Sequence, residues 1–132
     1  MKKLLYPTVE RVIACNYRIL TEIKVKKADR PELLSHRKLA NALDDAKKLE
    51  GDLYDKAALL LKDLVQAHAF ASGNRRTAFL ITKDFLFENG GKFAIRDDPK
   101  NARVLQGVRK GFYTQEELKE WIKHGKIREF KR

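Results

Sequence analysis

From Ala78 to Phe87 the chain carries Ala78, Phe79, Leu80, Ile81, Phe85, Leu86 and Phe87. On a helix these side chains cover most of the circumference, so the helix must be central, with neighbours on several sides. The rest of the chain offers further helices as those neighbours. Val9, Val12, Ile13, Leu20 and Ile23 recur at near-helical intervals after Pro7 and Thr8, a good helix start. Leu33, Leu34, Leu39, Ala42, Leu43, Ala46 and Leu49 form a second amphipathic pattern, stopped by Gly51. Between the two, Lys24, Lys26 and Lys27 read as a solvated linker. Asp52 is a candidate N-cap for a third helix running to about Phe70, with Leu61, Leu64, Val65 and His68 on one stripe. Gly73 and Asn74 interrupt it, and the central helix runs from about Arg75 to Glu88, ending at Asn89-Gly90-Gly91. Lys92 to Ile95 alternate, which predicts one short strand or an extended flap. Asp98-Pro99 pairs an N-cap with proline at the first helical position, opening a helix through Leu105 and Val108. Thr114 to Glu117 carries a capping-box pattern ahead of Leu118, Trp121 and Ile122. The expectation is an all-α bundle of about six helices, residues 1–132 forming a single domain.

Composition fits that expectation. The 132 residues are 43% apolar and 36% charged, which excludes a disordered chain. No run approaches the length of a membrane span, and the apolar stretch after Met-Lys-Lys is too short for a signal peptide. The one cysteine, Cys15, cannot form an internal disulfide and reads as a small helix residue, which predicts a reducing, cytoplasmic setting. The net charge of +11 is uneven: +6 over residues 1–40, −1 over 41–99 and +6 over 100–132. Basic ends of this kind suit a nucleic-acid binder, a domain that docks on an acidic partner, or a lysine-rich protein from a hot environment.

The chemistry concentrates in His68-Ala-Phe-Ala-Ser-Gly-Asn-Arg-Arg-Thr-Ala78. The segment places an imidazole on the last turn of one helix, then a Gly-Asn turn, then two arginines on the first turn of the next. A helix N-terminus presents unpaired N–H groups and the positive end of the dipole, a ready anion site. Arginines are unfavourable there unless an anion neutralises them, so Arg75 and Arg76 point to a polyanionic ligand whose phosphate oxygens suit their fork geometry. Asn74 can donate its amide to the same oxygens, and a neutral His68 can accept a proton from an attacking hydroxyl.

This string resembles the signature of the Fic/Doc superfamily, and the basic residue between Asn74 and Arg76 resembles its Doc (death-on-curing) branch. The resemblance implies an all-α fold and a role for each matching position. His68 would be the general base and Phe70 would anchor the loop in the core. Gly73 would permit close approach to phosphate, and Asn74, Arg75 and Arg76 would hold the nucleotide phosphates. Adenylyl-transferring members usually have glycine at the position of Arg75 and arginine at that of Phe79, so both differences point to the Doc type. For that type the resemblance implies a toxin that moves the terminal phosphoryl group of ATP to a hydroxyl of a target protein, elongation factor Tu being the known kind of target. Ser72 departs from the family, which usually has Asp or Glu there to help hold Mg²⁺; a serine hydroxyl can ligate Mg²⁺ but brings no charge. The expectation is a weakened but real activity. The nearest thing to an inhibitory Ser/Thr-x-x-x-Glu-Gly/Asn motif is Ala46 to Gly51, with Ala46 in place of the hydroxyl. Inhibition would therefore fall to a separate antitoxin chain.

Two rivals stand beside this reading. One is adenylylation by the same site. The other is a catalytically inactive module that keeps the phosphate cradle and uses its basic ends on RNA, DNA or an acidic protein. Elsewhere the plainer readings hold: His36 and His124 at the surface, Trp121 in the core, and Ser35 to Lys38 a chance Ser-x-x-Lys match. Asp44-Asp45 and Asp97-Asp98 read as helix-surface and capping carboxylates.

Overall fold

A computed structural model describes residues 3–22 and 30–131. Among them run six α-helices: α1 (Val9–Glu22), α2 (His36–Lys48), α3 (Leu53–Ala67), α4 (Asn74–Glu88), α5 (Pro99–Arg109) and α6 (Gln115–His124). The expected all-α bundle is therefore the observed architecture. Ile23, Lys24, Lys26 and Lys27 lie outside the described residues.

Local capping starts most of these helices. The Asp52 carboxylate accepts from the Tyr54 and Asp55 N–H groups, and Asp55 returns a bond to the Asp52 N–H. Asp98 accepts from the Asn101 N–H with Pro99 inside the first turn, and Thr114 and Glu117 form the second capping box. Ser35 is the N-cap of α2, its hydroxyl accepting from the Lys38 N–H, so the Ser-x-x-Lys string is a helix start. Leu33 and Leu34 therefore precede α2 instead of opening it. Both lie outside the helix, Leu34 in a bend, and Leu33 makes an isolated antiparallel bridge with Phe70. That contact joins segments far apart in sequence, so local periodicity could not report it.

α3 lies at the centre and packs against α2, α4, α5 and α6, while α1 closes over α4 and α2. Ala57, Leu61, Ala78, Leu86, Trp121 and Ile122 are fully buried where these helices meet. α4 is less enclosed than its composition suggests, because Phe87 is 55% exposed and sits under the Lys83 ammonium. Lys92 to Ile95 form no strand; the Ala94 N–H is bonded to the Ile122 carbonyl and Phe93 lies edge-on to Phe79. Its alternation reflects two inward residues, the half-buried Phe93 and the buried Ile95, on a covering strap. No helix is long and apolar enough to cross a membrane among the described residues.

Candidate active site

α3 stops at Ala67, and His68 follows as its C-cap with φ 49°, the only non-glycine residue with positive φ among the described residues. An L-residue in the left-handed region costs energy that its surroundings must hold, a pattern that recurs at functional sites. Here the backbone on either side is clamped. The Ala69 carbonyl accepts from the Leu34 and Ser35 N–H groups, and the Ala71 N–H donates to the Glu32 carbonyl. Phe70 is 3% exposed and locks the loop into the core. The left-handed cap turns His68 off the apolar stripe of Leu61, Leu64 and Val65, so it is exposed where a continued helix would have buried it.

The other half of the site is the start of α4. Gly73 is its N-cap, with φ 78° and no side-chain cap. A Cβ there would lie 3.1 Å from Asn16 Nδ2 and 3.3 Å from Leu20 Cδ2, so α1 also requires the glycine. Asn16 is 1% exposed and donates through Nδ2 to the Ser72 carbonyl (2.9 Å) and to Thr77 Oγ1 (3.2 Å). It thereby ties α1 to both sides of the turn. Asn74 is the second brace. Its Oδ1 accepts from the Phe70 N–H (3.0 Å) and its Nδ2 donates to the Phe70 carbonyl (2.8 Å). The amide is thus committed to the loop, and what Asn74 can offer an anion is its backbone N–H in the first turn.

The second Asn74 amide hydrogen faces His68 Nδ1 at 3.3 Å. The Phe70 bonds fix which end of the amide is nitrogen, so Nδ1 is the acceptor and a neutral ring carries its proton on Nε2. Arg75 and Arg76 are both exposed. Arg76 Nη1 meets Asp97 Oδ1 at 2.8 Å, whereas Arg75 has no ion pair among the described residues. His68, Ser72, Gly73, Asn74, Arg75 and Arg76 line one cleft of about 400 Å³, so the structure brings these six residues of the signature to one place, with Phe70 buried behind them. The opposite wall is α5 and the strap before it, including Arg96, Asp97, Gln106 and Arg109.

A sequence model of the family described as Fic/DOC family matches residues 9–86, α1 through most of α4. The chain belongs to the Fic/Doc family. A relative from Mycolicibacterium smegmatis, Toxin Doc, is 43% identical over 53 residues, which is 40% of this chain and 41% of that protein's length. The similarity to a Doc protein agrees with the branch to which Arg75 and Phe79 point. Within this Fic/Doc chain the signature occupies the cleft, and α5 lies beyond the family match.

Sequence reasoning missed three contributors. Asn16 gave no signal beyond a polar residue in an apolar helix pattern. Asp97 read as a capping carboxylate, but Asp98 alone caps α5 while Asp97 pairs with Arg76 across the cleft. Arg109 belongs to the site only because α5 is laid across α3. Cys15 takes no part; it is half-buried on α1, and burial raises its thiol pKa above the ordinary value, away from thiolate chemistry. The Ala46 to Gly51 stretch ends α2, and its carbonyls at Ala46, Lys47 and Leu49 accept from the Lys56 ammonium.

Proposed function

We propose that the protein is a Doc-like toxin that transfers the terminal phosphoryl group of ATP to a hydroxyl of a target protein. The observation that carries this reading is the juxtaposition of His68, exposed and fixed in a left-handed cap, with the uncapped N-terminus of α4 in one cleft. Free N–H groups on the first turn and the Arg75 guanidinium suit phosphate oxygens, and the left-handed Gly73 leaves that turn without a side-chain cap. Arg76 would join them by exchanging its Asp97 carboxylate for phosphate.

In the reaction the target's hydroxyl oxygen forms a bond to the terminal phosphorus, the bond to the bridging oxygen breaks, and ADP leaves. His68 takes the hydroxyl proton. For Nε2 to do so the ring must move its proton to Nδ1 and give up the Asn74 contact, which at 3.3 Å is long for a hydrogen bond and cheap to lose. Mg²⁺ would be held by the Ser72 hydroxyl together with phosphate and water, where it offsets phosphate charge. Ser72 is half-buried and lines the cleft, so its hydroxyl fits a single neutral ligand position. Without a carboxylate at that position, transfer should be slower than in relatives that have one. A separate antitoxin chain would restrain the activity, and the cytoplasm is its proposed setting.

ATP labelled at either the α or the γ phosphate, incubated with the protein, Mg²⁺ and a bacterial extract, tests the reading. Label passing to protein from the γ position alone is the expected result. Transfer from the α position would make the enzyme an adenylyltransferase, and transfer from neither would leave a binding module.

A further inference from the structure

α5 crosses the cleft in a defined direction. Its N-terminal end lies by the phosphate side, where Asp97 holds Arg76 at 2.8 Å. Its C-terminal end lies by His68, because Gln66, two residues before that histidine, donates through Nε2 to the Val108 carbonyl at 2.9 Å. Gln106 and Arg109 are three residues apart on the last turns of α5 and line the cleft together with His68. Val108 and Gly107 are buried, so this end of the helix is a fixed wall. Arg109 is exposed and has no carboxylate partner among the described residues, and neither has Arg75 in the same cleft. Unpaired guanidinium groups lining one concave site give it a positive potential that favours an anion. Arg75, on the first turn of α4, faces the proposed nucleotide phosphates; Arg109 is on the side where the hydroxyl must approach His68.

We infer that Arg109, with Gln106 beside it, is a specificity-determining residue that selects acceptor hydroxyls flanked by acidic side chains. The inference rests on the phosphotransfer reading above and adds the chemistry of its target. A flanking carboxylate would accept from the Arg109 fork while the hydroxyl stands at His68. The +6 surplus over residues 100–132, to which α5 belongs, steers the same acidic segment toward the cleft.

The test maps the sites that the protein phosphorylates in a bacterial extract supplied with γ-labelled ATP and Mg²⁺, using wild type, Arg109→Gln and Arg109→Glu, with ATP affinity of each measured by calorimetry. Wild-type sites should carry Asp or Glu within a few residues, and peptides copied from them should lose about tenfold in kcat/KM, through KM, when those acids become amides. Arg109→Gln should abolish the preference and Arg109→Glu should invert it toward Lys and Arg, with ATP affinity within twofold of wild type throughout. Unchanged preference in Arg109→Glu, or wild-type sites of random charge, would overturn the inference alone. Label entering ribose hydroxyls of RNA would overturn it in favour of a nucleic-acid acceptor. A wild type that binds no ATP would overturn the phosphotransfer reading itself.

Discussion

Gly73 combines two demands, a φ of 78° and a Cβ position crowded by Asn16 at 3.1 Å and Leu20 at 3.3 Å. Gly73→Ala should therefore lower stability by about 1–2 kcal/mol from the left-handed backbone alone, with more from displacing α1. Urea unfolding would show it, whereas the same change at Gly90, where nothing lies within 4 Å of the added Cβ, should cost no more than the backbone term. His68 is the other left-handed residue of the site, and its removal should read differently. His68→Ala should cut phosphoryl transfer by about 10²–10⁴-fold while barely changing ATP affinity, because the phosphates are held elsewhere. Ser72→Asp should act in the opposite sense, giving stronger Mg²⁺ dependence and faster transfer by adding charge at the proposed metal position. Equal transfer by wild type and His68→Ala would reduce the histidine to a loop residue. The motif residues were legible because they stand in one contiguous string. Asn16 was not: its place on the apolar stripe of α1 puts it inward, but its partners Ser72 and Thr77 are more than fifty residues away.

Helices were readable where their ends are written in short polar signals. Asp52, Asp98 and Thr114 each cap the helix that their sequence context announces. Leu33 and Leu34 misled because apolar residues beside a helix look like its first turn, and only the pairing with residues 69–71 holds them outside it. Likewise α3 ends at Ala67 instead of near Phe70, since the clamp on Ala69 and Ala71 comes from Glu32 to Ser35. α5 is the element whose placement matters most to the cleft and whose sequence says least about it. Its N-cap offers a direct test. Asp98→Ala removes the bond to the Asn101 N–H and should cost about 1 kcal/mol. Asn101 also donates to the Arg96 carbonyl and accepts from Trp121 Nε1, so the loosened turn should free the strap that carries Asp97. Thermal melting would report the lost stability. A rise in target KM larger than any change in ATP affinity would report the displaced wall.

At the scale of the whole molecule, the chain after α5 is bound back onto the bundle by charge as well as by apolar contact. Phe130 is 6% exposed and fills the space over Gly107, where a Cβ would lie 2.9 Å from its ring. Arg128 holds the same segment down. Its guanidinium bonds both carboxylate oxygens of Glu117, donates to the Phe112 carbonyl at 2.7 Å and stacks 4.0 Å from the Phe112 ring centroid. The Arg128 bond is the largest of the influences that lower the Glu117 pKa below its ordinary value. Asp55 is lowered in the same way, first by Lys119 and then by the capping bond from the Asp52 N–H. A carboxylate with a lower pKa folded than unfolded adds stability above its unfolded pKa and loses it as pH falls through the folded value. Asp63 works in the opposite direction, because burial and the neighbouring Asp45 raise its pKa, so its protonation favours the fold. Two depressed carboxylates at packed junctions should outweigh one raised carboxylate, and a chain at +11 gains further self-repulsion with every acid that is neutralised. Stability should therefore fall steeply below about pH 4, where Asp and Glu titrate. Glu117→Gln should be less stable than wild type at pH 7, and its midpoint should fall less between pH 6 and pH 3, since it has already lost the group that titrates. Urea midpoints of both proteins across that range decide the matter: parallel curves would mean that the Glu117–Arg128 pair is screened by solvent and that Phe130 packing and the Arg128 contacts with Phe112 secure the C-terminal segment.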